Sequence, residues 1–207
     1  MGFGKRRFFD AVRSDVFEGR IRAAQVAGTE LILDRFEVLL PGGDQRWMAY
    51  MLATAFHETA GTMQPVRETL AGTDDAAIAI LERAYAAGRL PAVTKPYWRR
   101  DDDGKSWLGR GLVQLTHRRN YEAMSVLTGI DFVERPERAM EPEMATTILI
   151  RGMTAGSFTG WRLSGFFGRG REDWQGARAI INGNDRAALV AEYARAFHRS
   201  LEAARIE

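Results

Sequence analysis

Two glutamates carry the first hint of chemistry. Glu58 closes an apolar run, Ala53-Thr54-Ala55-Phe56, and Glu68 follows ten residues later, past Gly61 and Pro65. An apolar surface and the negative end of a helix both disfavour the charged form of a carboxyl group, a setting that suits a proton donor. A second carboxylate in a different setting, reached by a turning loop, completes the pair that glycoside hydrolysis requires. With 27 acidic residues in the chain, spacing alone does not decide for this pair. His57 beside Glu58 raises a metal site, but the second His four residues on that a helical zinc site needs is missing. His117 and His198 are the other histidines, and there is no cysteine. The acidic run Asp101-Asp102-Asp103 lacks the spaced ligands and closing Glu of a calcium loop and reads as a solvated turn. No cofactor is expected.

The stretch Gly109-Arg110-Gly111-Leu112-Val113-Gln114-Leu115-Thr116 is the second informative segment. Glycines around an Arg permit close backbone approach. Alternation predicts a short strand with Val113 and Leu115 on one face, Gln114 and Thr116 on the other. Gln and Thr side chains suit hydrogen bonds to sugar hydroxyls, N-acetyl groups or a water. A plain strand opening on a Gly bend fits the same residues.

The elements that must hold these residues are mostly helical. Phe8, Phe9, Val12 and Val16 recur on one face, with Gly19 as a stop. A second helix is expected from about Arg20 to Leu40, ended by Pro41-Gly42-Gly43. Asp44 then caps a third that reaches Glu58, and a fourth runs from Asp74 to about Ala87. Between Gly88 and Gly111 turn chemistry dominates, with Asp103-Gly104 as a tight hairpin turn. Helical patterns resume after Thr116, after Pro142, around Trp161–Phe167, and from Asp185 to Leu201. The expectation is one catalytic domain over 1–207 in two lobes, N-terminal helices to about 43 and a catalytic core from 44. It is mainly α, with a small β-containing lobe.

Bulk properties exclude more than they select. The chain has 45% hydrophobic and 27% charged residues and a formal charge of +2, ordinary for a globular protein. Arg outnumbers Lys 26 to 3, which suits an anionic substrate, yet no nucleic-acid-binding motif accompanies it. The basic opening Met1-Gly2-Phe3-Gly4-Lys5-Arg6-Arg7 is not followed by the apolar stretch of a signal peptide, and no segment is long enough to span a bilayer.

Ala55-Phe56-His57-Glu58-Thr59-Ala60, followed by Gly109 to Thr116, resembles the signature of family 19 glycoside hydrolases, the plant-type chitinases and related phage endolysins. The likeness continues through Asn120-Tyr121, Arg151 to Gly160, Ile180-Ile181-Asn182-Gly183 and Asp185-Arg186-Ala187. The opening Phe8 to Arg13, with Gln25-Val26-Ala27-Gly28, is closer to the endolysin branch. The resemblance implies a lysozyme-like fold and an inverting mechanism. Glu58 matches the general acid and Glu68 the base that activates water, with Thr116 helping to hold that water. Gln114, Asn120 and Asn182 match substrate contacts, and His57 and Arg110 match supports of the cleft carboxylates; for Arg110 a structural ion pair fits equally well. Arg67 beside Glu68 is a cation that favours an ionised base. Inversion requires carboxyl groups roughly 6.5–9.5 Å apart. The plant enzymes' cysteines and cleft-extending loops have no counterpart here.

The expected activity is therefore an endolysin cutting β-1,4 bonds between N-acetylmuramic acid and N-acetylglucosamine in peptidoglycan. A chitinase and a catalytically inactive sugar-binding module remain the alternatives. An endolysin without a signal peptide would act as a monomer, accumulate in the host cytoplasm and depend on a separate pore protein to reach the wall, with no membrane insertion of its own.

Overall fold

The chain enters the computed structural model, which describes residues 4–205, as two helices, α1 (Lys5–Asp15) and α2 (Ala23–Leu39). The first three residues of the basic opening lie outside the described residues. Phe8 and Val12 are the buried stripe of α1, and the Gly4 N–H donates to the Ala204 carbonyl at 2.8 Å, tying the two ends of the chain together. Glu18 and Gly19, with φ of 51° and 83°, reverse the chain in the left-handed region, so α2 starts later than its apolar pattern predicts.

The third helix, α3 (Gln45–Glu58), begins and ends where the sequence requires. The Asp44 carboxylate caps it by accepting from the Arg46 N–H at 2.9 Å, and every residue from Met48 to Ala55 is buried. A helix apolar all round belongs inside a core, and α3 fills that place. It lies along the C-terminal helix, which α1 also flanks. Burying each large side chain of this layer is worth about 1.5–3 kcal/mol.

A small lobe leaves this body after α3. Strand β1 (Val66–Arg67) is followed by α4 (Asp74–Ala86), an irregular segment, and β2 (Arg110–Gly111). The two strands pair antiparallel, Val66 opposite Gly111 and Arg67 opposite Arg110. The lobe has its own apolar cluster of Ala77, Leu81, Trp98 and Leu108. Within the irregular segment, Asp101 to Lys105 closes as a tight turn, the Asp101 N–H donating to the Lys105 carbonyl at 2.9 Å, without flanking strands.

The chain returns to the body through α5 (Arg118–Thr128) and α6 (Pro142–Ala155), the latter packed on α2. Helical structure expected around Trp161–Phe167 is corrected to a single 3-10 turn, Leu163–Gly165, leading into a hairpin of β3 (Phe167–Gly168) and β4 (Arg171–Glu172). The apolar spacing there serves a turn-and-hairpin whose Phe167 and Trp174 rings pack edge to face at 4.8 Å. A four-residue helix, α7 (Ala179–Asn182), precedes the long α8 (Ala187–Ala203). The result is mainly helical with two small two-stranded sheets. Among the described residues no helix is long and apolar enough to cross a membrane.

Candidate active site

The loop from Glu58 to Glu68 is fastened both from within and from α2. Thr59 Oγ1 donates to the Ala55 carbonyl at 2.7 Å and accepts from the Met63 N–H at 3.0 Å. The first turns of α2 clamp it from outside: Gln25 Nε2 donates to the Gly61 carbonyl at 2.8 Å, and Gln64 Nε2 donates to the Ala24 carbonyl at 2.6 Å. Gly28 makes the approach possible, because a Cβ there would sit 1.8 Å from the Met63 carbonyl oxygen. The segment Gln25-Val26-Ala27-Gly28 thus buttresses the connection between the two carboxylates.

At one end of the loop, Glu58 occupies the last turn of α3 with 14% of its side chain exposed. Its Oε1 accepts from Arg178 Nη1 at 2.6 Å, and Arg178 is itself 2% exposed. Arg178 Nε donates to the Asp185 carbonyl at 2.8 Å. One buried guanidinium therefore joins Glu58 to the 182–185 loop, where Asn182 lies exposed at the end of α7. The apolar surroundings read from sequence are incomplete in this respect, since the helix end also faces a cation. His57, half-buried beside Glu58, is held below the usual His range, chiefly by burial, with Arg178 adding to the effect and the Glu58 carboxylate opposing it.

At the other end, Glu68 is half-buried and both its oxygens are engaged. Oε1 accepts from the Tyr97 hydroxyl at 2.6 Å and Oε2 from the Gly109 N–H at 2.8 Å. Two accepting oxygens are the hydrogen-bonding role of an ionised carboxylate. Burial, then the Glu68 charge, pushes the Tyr97 hydroxyl well above its ordinary range, so it stays a donor. The His117 ring lies 4.4 Å from that of Tyr97, and its own basicity is lowered by burial and by Arg119. Gly109 is required here: a Cβ would meet the Gln114 amide oxygen at 2.7 Å and Glu68 at 3.3 Å.

Two expectations are corrected, the strand through Thr116 and the placing of Arg67 beside Glu68. The 110–116 segment is not a strand through Thr116. Gly111 and Gln114 take positive φ, 87° and 52°, and the chain folds back so that Arg110 and Leu115 bridge each other. Gln114 Nε2 donates to the Val66 carbonyl at 3.1 Å, fastening the turn to β1. Asn120 Nδ2 donates to the Thr116 carbonyl at 2.8 Å, so it holds the turn that carries Thr116. Arg110 is fully buried and pairs with Asp74 at 2.5 Å, donating also to the Tyr121 hydroxyl at 2.8 Å, so it braces the small lobe and does not touch either glutamate. Arg67 likewise goes to Asp74, at 2.6 Å, instead of Glu68, because Asp74 at the start of α4 lies between two guanidiniums. Burial alone would raise the Asp74 carboxyl, but its bonds to Arg110 and Arg67 outweigh that and hold it low.

The residues around the two glutamates, some predicted and some not, thus fall into two groups joined by the clamped loop. One is Glu58 with His57, Arg178 and the Asn182 loop; the other is Glu68 with Gln114, Gly109, Tyr97 and His117. Backbone strain gathers along the same path. Ala60, Met63, Thr69, Leu70, Gln114 and His117 all have positive φ, a conformation that costs on the order of 1–3 kcal/mol per residue and collects at functional sites. Two engaged residues were missed by sequence reasoning. Arg178 stands alone in an apolar run, Ala177-Arg178-Ala179-Ile180-Ile181, which is the mark of a buried cation in search of an anion. Tyr97 lies in an irregular segment that offers no periodic signal.

Concavities of several sizes mark the surface of the described residues, three of them prominent. One of about 950 Å³ backs the Glu58 helix, one of about 410 Å³ lies around Asp44 and Arg46, and one of about 580 Å³ is lined by Gln175, Asn184 and Arg186. None of the three is lined by Glu58 or Glu68. Among the described residues, no three His, Cys, Asp or Glu side chains are grouped to hold a metal ion. No protein-family model matches the chain, and no curated protein or solved structure matches it.

Proposed function

We propose that the chain is a glycoside hydrolase of the inverting type, acting on the β-1,4-linked N-acetylated glycan of the bacterial wall. The observation that carries this reading is the clamped loop with a differently held carboxylate at each end. Glu58 keeps Oε2 free of Arg178, so that oxygen passes a proton to the glycosidic oxygen, and the fixed guanidinium then stabilises the carboxylate left behind. Glu68, an acceptor at both oxygens, takes a proton from the attacking water. Thr116, on the turn fastened by Gln114 and Asn120, helps to place that water. A helical body with a small lobe fits a lysozyme-like arrangement, in which the glycan lies between the lobes. The resemblance of Ala55 to Ala60 and Gly109 to Thr116 to family 19 hydrolases points the same way.

The test is release of reducing ends from purified peptidoglycan and, in parallel, from soluble chitin oligomers. Turnover of peptidoglycan well above that of chitin is the expected result. Faster chitin cleavage would make the protein a chitinase, and binding to either glycan without cleavage would make it a sugar-binding module.

A further inference from the structure

The concavity behind Glu58 has a composition that the catalytic reading does not use. Phe56 lies two residues before Glu58 on α3, about 200° away around the helix, and so faces the opposite side. There it packs edge to face on Phe17, ring centroids 5.4 Å apart, forming the apolar wall of the groove of about 950 Å³. Arg13, Arg20 and Arg22 line the groove and are all exposed, while Glu18 is the one carboxylate among its lining residues. Arg13 has only a distant surface partner, Asp10 at 3.6 Å; Arg20 and Arg22 have no ion pair among the described residues. Three guanidiniums around a site with one carboxylate are an unbalanced charge in want of anions. The same groove is lined by Ala60, Gly61 and Thr62, the start of the loop that leads to Glu68.

We infer that this groove is a second, non-catalytic binding site for a carboxylate-bearing glycan strand, with the guanidiniums on its carboxylates and the half-buried Phe56 ring, backed by Phe17, against a sugar face. Guanidinium matches carboxylate in planar, two-pronged hydrogen bonds, and an aromatic wall takes the C–H face of a pyranose. Neutral chitin offers the arginines only uncharged hydroxyl and amide acceptors, whereas the peptide stems of peptidoglycan carry carboxylates. The choice of glycan rests on the glycosidase reading; the demand for carboxylates rests on the groove alone.

The experiment measures binding of the Glu58→Gln protein to soluble peptidoglycan fragments with intact peptide stems, to chitin oligomers of equal length, and to anionic lipid vesicles. Each is repeated with Arg20→Ala and Arg22→Ala added, and with a control carrying Arg135→Ala and Arg151→Ala, two exposed arginines elsewhere that remove the same charge. The expected result is binding of the peptidoglycan fragments that weakens about tenfold or more in the groove variant, roughly the loss of one charge-assisted hydrogen bond, with no change in the control. It should also weaken with added salt. Arg20→Lys with Arg22→Lys should recover part of it, which separates lost charge from misfolding. Equal loss in the control, unchanged binding in the groove variant, or equally arginine-dependent binding of the vesicles would each overturn the inference. Cleavage of short oligosaccharides by the otherwise native protein is measured in parallel. Arginine-dependent binding without any cleavage would sink the glycosidase reading and leave the groove standing.

Discussion

Arg178 and Glu58 meet across 2.6 Å in a largely buried place, so each side chain depends on the other. Two outcomes follow at this scale. Glu58→Gln should lower glycan cleavage by roughly 10²–10⁴-fold while circular dichroism and thermal unfolding stay close to wild type, the usual size of general acid catalysis. Retention of more than about a tenth of the rate would remove Glu58 from the reaction. Arg178→Ala should cost both activity and on the order of 3–5 kcal/mol of stability, since it breaks a buried pair. An Arg178→Ala protein that melts with the wild type would show the pair to be loose in solution. Glu58 was legible in sequence because it is local: an Asp44 cap, an apolar run and a stop. Arg178 was not, since it reaches Glu58 from 120 residues away and no periodicity encodes such a contact.

Among the elements, α2 holds the loop that separates the two carboxylates. Gly28→Ala places a methyl group against the Met63 carbonyl and must push the loop away from α2. Overpacking of this kind costs about 1–3 kcal/mol, and the displaced loop should lower turnover more than it raises KM. Full activity in a Gly28→Ala protein would show that the clamp is not needed. The Gly109-Arg110-Gly111 motif was visible as chemistry but misread as geometry. The alternation of buried and half-buried residues from Val113 to Thr116 is real, yet it arises from a turn with positive φ at Gln114, not from a strand. Arg67 neighbours Glu68 in sequence and is expected beside it, while for Arg110 a support of the cleft and a structural ion pair fit the motif equally, and the structure shows the ion pair. Asp74 takes both by sitting where the two guanidiniums converge.

Over the whole molecule, the helical body was readable from its 3.6-residue pattern, whereas the lobe between Gly88 and Gly109 was not. Its stability comes from Trp98 packing with Ala77, Leu81 and Leu108, which involves few and non-periodic positions. The same two-part construction shapes the response to acid. His57 on the body and His117 on the lobe are both held below 6.5 by burial, so each contributes stability that is present above pH 6.5 and lost as pH falls below it. Asp74 and Asp44 are depressed below 3.8 and act in a separate, lower window. Thermal melts should therefore show Tm falling between pH 7 and pH 5, less steeply in a His57→Gln protein; a Tm that rises over that range would contradict the assignment. The proposed activation of a water opposite an acid is read most directly at the bond that breaks. Early-time NMR of the anomeric proton, recorded as a defined wall oligosaccharide is cleaved, should show the α-anomer first, because attack by water on the far face inverts the centre. Initial appearance of the β-anomer would mean retention and would contradict the assignment of Glu58 as acid and Glu68 as base.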